Sequence, residues 1–270
     1  MNPELSAYLA AADEALRRPS VNGYRGQVHV GVDLGTAYTT LFVLDEAFRP
    51  LIGTYRFAEV VRDGLVVDFV GATQLLREIK REVEGRLGFE LTAAATTYPP
   101  GVPITEVRAT RYVLESAGLK CTMQVDEPTA ANAVLQVENG AVIDIGGGTT
   151  GIAIVEDGEV VYTADEATGG IHFTLVLAGA HHIPFEEAEA LKTDTSAQGR
   201  LFPIVRPVME KVATIISRHI ADHRVETLYL VGGTSAFQGI AEVIAEITGV
   251  AAVVPTNPLL VTPLGVAKHS

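Results

Sequence analysis

At 270 residues the chain is long enough for one large domain or two of moderate size, and with 47% hydrophobic and 20% charged residues it is globular rather than disordered. The net charge of −13 argues against duplex nucleic acid as a partner, since phosphate backbones are met by clustered Lys and Arg, but it leaves room for a nucleotide held by backbone N–H groups and a metal ion. With no apolar run near the ~20 residues of a membrane helix, no secretory signal pattern at the N-terminus and a single cysteine, the expectation is a cytoplasmic protein without membrane attachment or internal disulfide.

Leu5, Leu9, Ala12 and Leu16 fall at helical spacing and predict a short amphipathic helix over 3–18. It reads either as a loosely docked terminal helix or as a docking or encapsulation peptide for a larger assembly. Pro19 and the stretch 23–26 separate it from strands at 28–32 and 41–44, and a third strand follows at 52–57. An Asp63-Gly64 turn interrupts 60–69. A helix over about 73–87 carries Leu76, Ile79, Val83 and Leu87 on one face and stops at Gly88. After a buried strand at 91–97, Pro103 opens a helix that Gly118 ends. Cys121 stands at the start of the next strand and reads as a buried, inert thiol. Glu127-Pro128-Thr129 then starts an alanine-rich helix.

The second half begins at Asn139-Gly140 with a strand pair that turns again at Asp157-Gly158. Pro184 opens a helix through Lys192, and Pro207 a longer one. A strand at 228–231 runs into Gly232-Gly233-Thr234-Ser235 and a helix, and a terminal helix starts near Pro263. Hairpins alternating with helices predict an α/β fold with mixed sheets flanked by helices. The expected organisation is an amphipathic segment and linker over 1–26, a first lobe over 27–136 joined by the terminal helix 262–270, and a second lobe over 137–261.

The two halves echo each other. Asp33-Leu34-Gly35-Thr36-Ala37-Tyr38 and Asp144-Ile145-Gly146-Gly147-Gly148-Thr149 are each an aspartate at the end of an apolar strand, a turn rich in Gly and Thr, and a second strand. In the first, Gly35 is expected to reach φ values closed to other residues, with hydroxyl donors from Thr36, Thr39 and Thr40. Consecutive turn amides bind anions, and each aspartate is placed to hold magnesium directly or through water. Three successive glycines are costly to order, so the second turn points to phosphate pressed against backbone. Gly232, Gly233, Thr234 and Ser235 sit between strand and helix, where backbone amides and a helix N-terminus meet a ligand.

Together these sites resemble the actin, sugar-kinase and DnaK-type chaperone ATPase superfamily over 28–267. The resemblance implies a two-lobed actin-like fold around a nucleotide cleft, with 33–40 and 144–151 as phosphate hairpins and 230–235 as the adenosine loop. Glu127-Pro128-Thr129-Ala130-Ala131 and 263–267 match the connecting helices. It further implies Asp33 and Asp144 as Mg2+ carboxylates, Glu127 as the group that positions or polarises the attacking water, Glu189 and Lys192 near ribose and base, and ATP or ADP as ligand. The chain departs from DnaK-type chaperones in lacking a lysine in the first turn, in the brevity of 44–69, in Ala236 and Phe237 where a base-stacking arginine stands, and in having no peptide-binding domain after 270. ATP binding is therefore better supported than fast hydrolysis.

A narrower likeness lies in Val61-Arg62-Asp63-Gly64, Leu114-Glu115-Ser116-Ala117-Gly118-Leu119, Asp126-Glu127-Pro128-Thr129-Ala130, 144–155 and Ala164-Asp165-Glu166-Ala167-Thr168-Gly169-Gly170. These resemble the ethanolamine utilisation protein EutJ family, small actin-like members encoded with bacterial microcompartment enzymes and described as chaperone-like. The resemblance implies a partner such as ethanolamine ammonia-lyase, or shell and cargo proteins. A non-hydrolysing scaffold, a small-molecule kinase and a filament-forming bacterial actin are the competing readings. The pairs His181-His182 and His219/His223 are read as surface and packing residues rather than metal ligands, and His172 as a structural histidine.

Overall fold

The structure, a computed structural model, describes residues 2–19, 21, 23–62 and 65–270. The expected Asp63-Gly64 turn lies outside the described residues. In chain order the elements are α1 (Pro3–Arg17), β1 (Val28–Leu34), β2 (Tyr38–Asp45), β3 (Pro50–Phe57), β4 (Val61–Arg62), β5 (Leu65–Val66), α2 (Phe69–Leu87), β6 (Ala93–Tyr98), α3 (Ile104–Ser116), β7 (Lys120–Asp126) and α4 (Glu127–Leu135). They continue as β8 (Gly140–Ile145), β9 (Thr150–Glu156), β10 (Glu159–Glu166), α5 (Gly170–His181), α6 (Phe185–Thr193), α7 (Gln198–Ile220), β11 (Thr227–Val231), α8 (Ile240–Thr248), β12 (Ala251–Val253) and α9 (Val261–Lys268).

The chain divides into two compact units, Met1–Gln136 with Leu260–Ser270, and Val137–Leu259. In the first, the sheet order is β3-β2-β1-β6-β7. The first three strands form an antiparallel meander, and β6 and β7 add in parallel. Val30, Val32, Leu34, Leu41 and Val43 pack with Leu76, Ile79 and Val83 of α2 and with Val113 and Leu114 of α3. A second small cluster joins Ala95 and Val125 to Ala130 of α4 and Val266 of α9. Asp68 caps α2 by accepting from Gly71 N–H, and Gly88 ends it in the left-handed conformation that glycine adopts most cheaply.

The opening helix is a packed element. It lies on β3, an edge strand, with Leu9, Ala12 and Ala15 buried and the Tyr8 hydroxyl donating to Phe48 O at 3.0 Å. The Cys121 thiol is half-buried in β7, and burial pushes its pKa up, away from nucleophilic character.

The second unit repeats the plan with the order β10-β9-β8-β11-β12. Its core joins Ile143, Ile145, Ile152 and Ile154 of the sheet to Phe173 and Leu177 of α5 and to residues of α7 and α8. One expectation fails here. Pro207 does not open a helix. It lies with Pro203 inside α7, which starts at Gln198, and burial of Leu201, Val205, Val208, Met209 and six further residues outweighs the two missing backbone donors. The segment after Gly169-Gly170 is a full helix, α5, which the sequence pattern did not reveal.

Candidate functional site

In each unit the chemistry gathers at the carboxyl ends of the parallel strands, where open α/β sheets present ligand-binding groups. In the first unit β1 delivers Asp33 and passes into a turn closed by Gly35 N–H donating to Tyr38 O at 3.1 Å. Gly35 has no positive φ, contrary to expectation. Glycine is needed there because a Cβ would stand 2.9 Å from Tyr38 O, so the turn can close only around a bare backbone. Thr36 and Ala37 are half-buried at its tip. Tyr38 packs edge-on against Tyr55 and Phe57, with ring centroids 5.4 and 5.8 Å away. Of the expected hydroxyl donors, Thr39 is fully buried beside Leu34, and its Oγ1 has no partner among the described residues.

Asp33 sits in a cross-strand row. Thr40 of β2 lies opposite it, and on the other side the Thr97 hydroxyl of β6 donates to Asp33 Oδ1 at 2.7 Å. Sequence reading missed Thr97, which it saw as one more residue of a buried strand. Along the same row Thr97 pairs with Val125 of β7, and two residues later Glu127 is the first residue of α4. Asp126 caps that helix by accepting from Thr129 N–H at 3.0 Å. Asp33 and Glu127 thus leave the same end of one sheet.

In the second unit β8 delivers Asp144 and enters a turn closed by Gly146 N–H donating to Thr149 O at 3.0 Å, the bond already seen between Gly35 and Tyr38. The echo in sequence is an echo in hydrogen bonding. Gly146 O accepts from Gly170 N–H at 2.9 Å and from the Thr234 hydroxyl at 2.8 Å, and Gly147 O accepts from Ile171 N–H at 2.8 Å. A planar trans peptide points its N–H opposite to its C=O. With these two carbonyls turned toward α5 and Thr234, the N–H groups of Gly147 and Gly148 point the other way. Neither donates to a backbone acceptor among the described residues. Adjacent amides so arranged form an anion-binding nest.

Asp144 is buried, at 6% exposure, and lies against Gly232. Gly232 has φ +84°, and a Cβ there would meet Asp144 Oδ1 at 2.3 Å and Ile145 O at 2.5 Å. The loop over 232–235 is not the N-terminus of the following helix, as the sequence suggested. Residues Gly233–Ala236 form a 3₁₀ turn, and α8 begins only at Ile240. Its hydroxyls hold the loop in place: Thr234 bonds Gly146 O, and buried Ser235 donates to Val231 O at 2.6 Å. Gly233 packs beside Leu259.

Glu189 and Lys192 of α6 form an ion pair of 2.6 Å with both side chains nearly buried. Lys192 Nζ also donates to Thr174 Oγ1 at 3.0 Å and to Gly170 O at 3.2 Å. Burial lowers the Lys192 pKa, against the upward pull of Glu189. Gly170 also anchors the glycine turn, so 146–149, 232–235 and the Glu189–Lys192 pair converge in one cluster within the second unit.

Residues 104–262 match the family model described as Type IV pilus assembly protein PilM. The chain is 44% identical to the ethanolamine utilization protein EutJ of Salmonella typhimurium over 88% of its length and 84% of that protein. It superposes on the crystal structure of ethanolamine utilization protein EutJ from Carboxydothermus hydrogenoformans with a TM-score of 0.93, at 45% identity, covering 99% of this chain and 98% of that one. The chain belongs to the EutJ family. At the level of fold alone, MreB5 of Spiroplasma citri bound to AMPPNP gives a TM-score of 0.73 at 15% identity over 90% and 95% of the two chains. The fold of this EutJ-family chain is that of the actin-like ATPases.

No group of three or more His, Cys, Asp or Glu side chains among the described residues is placed to hold a metal ion. Magnesium does not need one: it keeps several waters and takes one or two carboxylates together with phosphate oxygens. Within the second unit, Asp144 at the base of its turn, with the Gly147 and Gly148 amides oriented for an anion, fits that requirement. The histidines do not. His219 packs its ring against Tyr162, with centroids 5.9 Å apart, and also bonds the Tyr162 hydroxyl at 2.7 Å and Glu166 at 3.0 Å. His172 Nδ1 accepts from Gly169 N–H at 3.3 Å, a structural role. No helix among the described residues is long and apolar enough to cross a membrane.

Proposed function

We propose that this EutJ-family protein binds Mg-ATP or Mg-ADP and uses it as a conformational switch in a chaperone-like role during ethanolamine utilisation. The observation that carries the reading is the repeated Asp-turn: two strands ending in aspartate, each followed by a turn closed by the same backbone bond, the second with its Gly147 and Gly148 amides turned outward. In this reading the residues of both turns, Gly35, Thr36, Ala37 and Tyr38 with Gly146, Gly147, Gly148 and Thr149, bind phosphate. Asp33 and Asp144 orient the metal through its waters, and Glu127 positions the attacking water. Gly232, Gly233, Thr234 and Ser235 shape the adenosine site beside Glu189 and Lys192. Magnesium, when bound, neutralises charge on the phosphates, and the rest of phosphoryl transfer is positioning. The partner we propose is a microcompartment enzyme such as ethanolamine ammonia-lyase, or a shell protein. Recovery of the same proteins with and without ATP in a pull-down from cells grown on ethanolamine argues against nucleotide control.

Calorimetry tests the core of the reading. Asp144→Ala is expected to abolish Mg-ATP binding, and unchanged affinity overturns it. A second reading, a nucleotide-binding scaffold that does not hydrolyse, is favoured by two features. The first turn carries no lysine, and Phe237, where DnaK-type chaperones place a base-stacking arginine, is buried against Phe173 at 5.8 Å. Single-turnover measurement separates the two, because the scaffold retains bound ATP without releasing phosphate.

A further inference from the structure

We propose that Thr97 is a positioning residue that holds Asp33 in its metal-binding orientation. This rests on the nucleotide-binding reading above and assigns the first-unit carboxylate a partner that its sequence motif does not contain. Strands β1 and β6 run parallel, with Gly31 beside Ala95 and Val32 beside Thr96. One step further along this register Asp33 lies beside Thr97, and strand alternation sends both side chains to the face opposite Val32 and Thr96. The two neighbouring threonines have different fates. Thr96 is fully buried, and its Oγ1 has no partner among the described residues. Thr97, only 3% exposed, donates its hydroxyl to Asp33 Oδ1 at 2.7 Å.

A hydroxyl donating to a carboxylate makes a charge-assisted bond, and a buried donor on a paired strand has few other orientations to adopt. Thr97 pairs with Val125 of β7 and bonds Asp33 of β1, so it fixes the Asp33 carboxylate relative to the strand that leads into Glu127. Outer partners of this kind set the direction in which a metal-binding carboxylate offers its oxygens.

The test is calorimetric titration of AMPPNP into the full-length protein, with Mg2+ and separately with EDTA. In the wild type, Mg2+ is expected to tighten binding. Thr97→Val keeps the shape and removes the donor. Its expected effect is to cut the Mg2+-dependent gain by about ten- to a hundredfold, leaving the EDTA affinity unchanged. Thr97→Ser restores the gain. In an Asp33→Ala background Thr97→Val has no further effect, because Thr97 acts through Asp33. Should Thr97→Val fail to fold, Thr97→Cys keeps a similar volume with only a weak S–H donor and is expected to lose part of the gain. The proposal is overturned if Thr97→Val keeps the full Mg2+ gain, if it weakens binding equally with and without Mg2+, or if Thr97→Ser is as defective as Thr97→Val. A wild type that does not bind AMPPNP at all overturns the nucleotide reading itself, and this inference with it.

Discussion

Replacing Gly265 by alanine probes the crossing of α4 and α9 in the first unit. A Cβ at Gly265 would lie 1.8 Å from Ala130 O and 2.5 Å from Ala130 C, both backbone atoms of a helix. The helix α9 has no room to retreat, since it is buried from Val261 to Ala267 and Gly31 of β1 presses on its other side, where a Cβ would come within 2.4 Å of Ala267 N. Raising the contact from 1.8 Å to the 3.0 Å that real Cβ atoms respect requires a separation of about 1.2 Å. Overpacking of this kind costs roughly 1–3 kcal/mol, and a clash with rigid backbone on both sides puts the expected value near 3 kcal/mol. For a unit of this size that lowers Tm by roughly 6–12 °C. Thermal unfolding followed by circular dichroism measures it. Gly85→Ala serves as the control, because Gly85 lies on α2 in the same unit with nothing within 4 Å of its Cβ position, and alanine is expected to raise stability there by about 0.5–1 kcal/mol. A Gly265→Ala protein that melts with or above the wild type would falsify the close crossing.

Gly232→Ala is expected to weaken both stability and Mg-nucleotide binding, because its φ of +84° strains any side chain and its Cβ would displace the Asp144 carboxylate at 2.3 Å. Gly233→Ala, which meets only the flexible end of Leu259 at 3.3 Å, is expected to bind nearly normally, and equal losses in a calorimetric comparison of the two refute the argument. The pH dependence of stability should carry a contribution from Asp45. Burial pushes this carboxyl up, but N–H donors of Arg49 and Ala47 and the Arg49 guanidinium outweigh it and leave the pKa below the ordinary value. A depressed folded-state pKa means that the unfolded chain takes the proton first as the solution is acidified. The stabilisation is therefore complete above the unfolded pKa, near 3.9 for aspartate, and disappears as pH falls through the folded value. Urea midpoints across the acid range should show a shallower loss in Asp45→Asn, and identical slopes contradict the assignment.

The sequence by itself determined whatever depends on neighbours along the chain. The two Asp-turns, the stop of α2 at Gly88, the start of α4 at Glu127 and the strands of both hairpins follow from local caps, turn residues and apolar runs. The helix α5 escaped because it begins at Gly170 without a side-chain cap and its run of apolar residues shows no helical period. The path of α7 through Pro203 and Pro207 escaped because local propensity opposes it and only the burial of its apolar face favours it. Tertiary structure alone decided the pairings between distant residues: Thr97 with Asp33, Thr234 with Gly146, Gly232 with Asp144, and Gly265 with Ala130. A turn motif states which backbone is able to bind an anion. Which hydroxyl aims the carboxylate, and which glycine makes room for it, depends on strand register and helix crossing, set by packing between segments tens of residues apart.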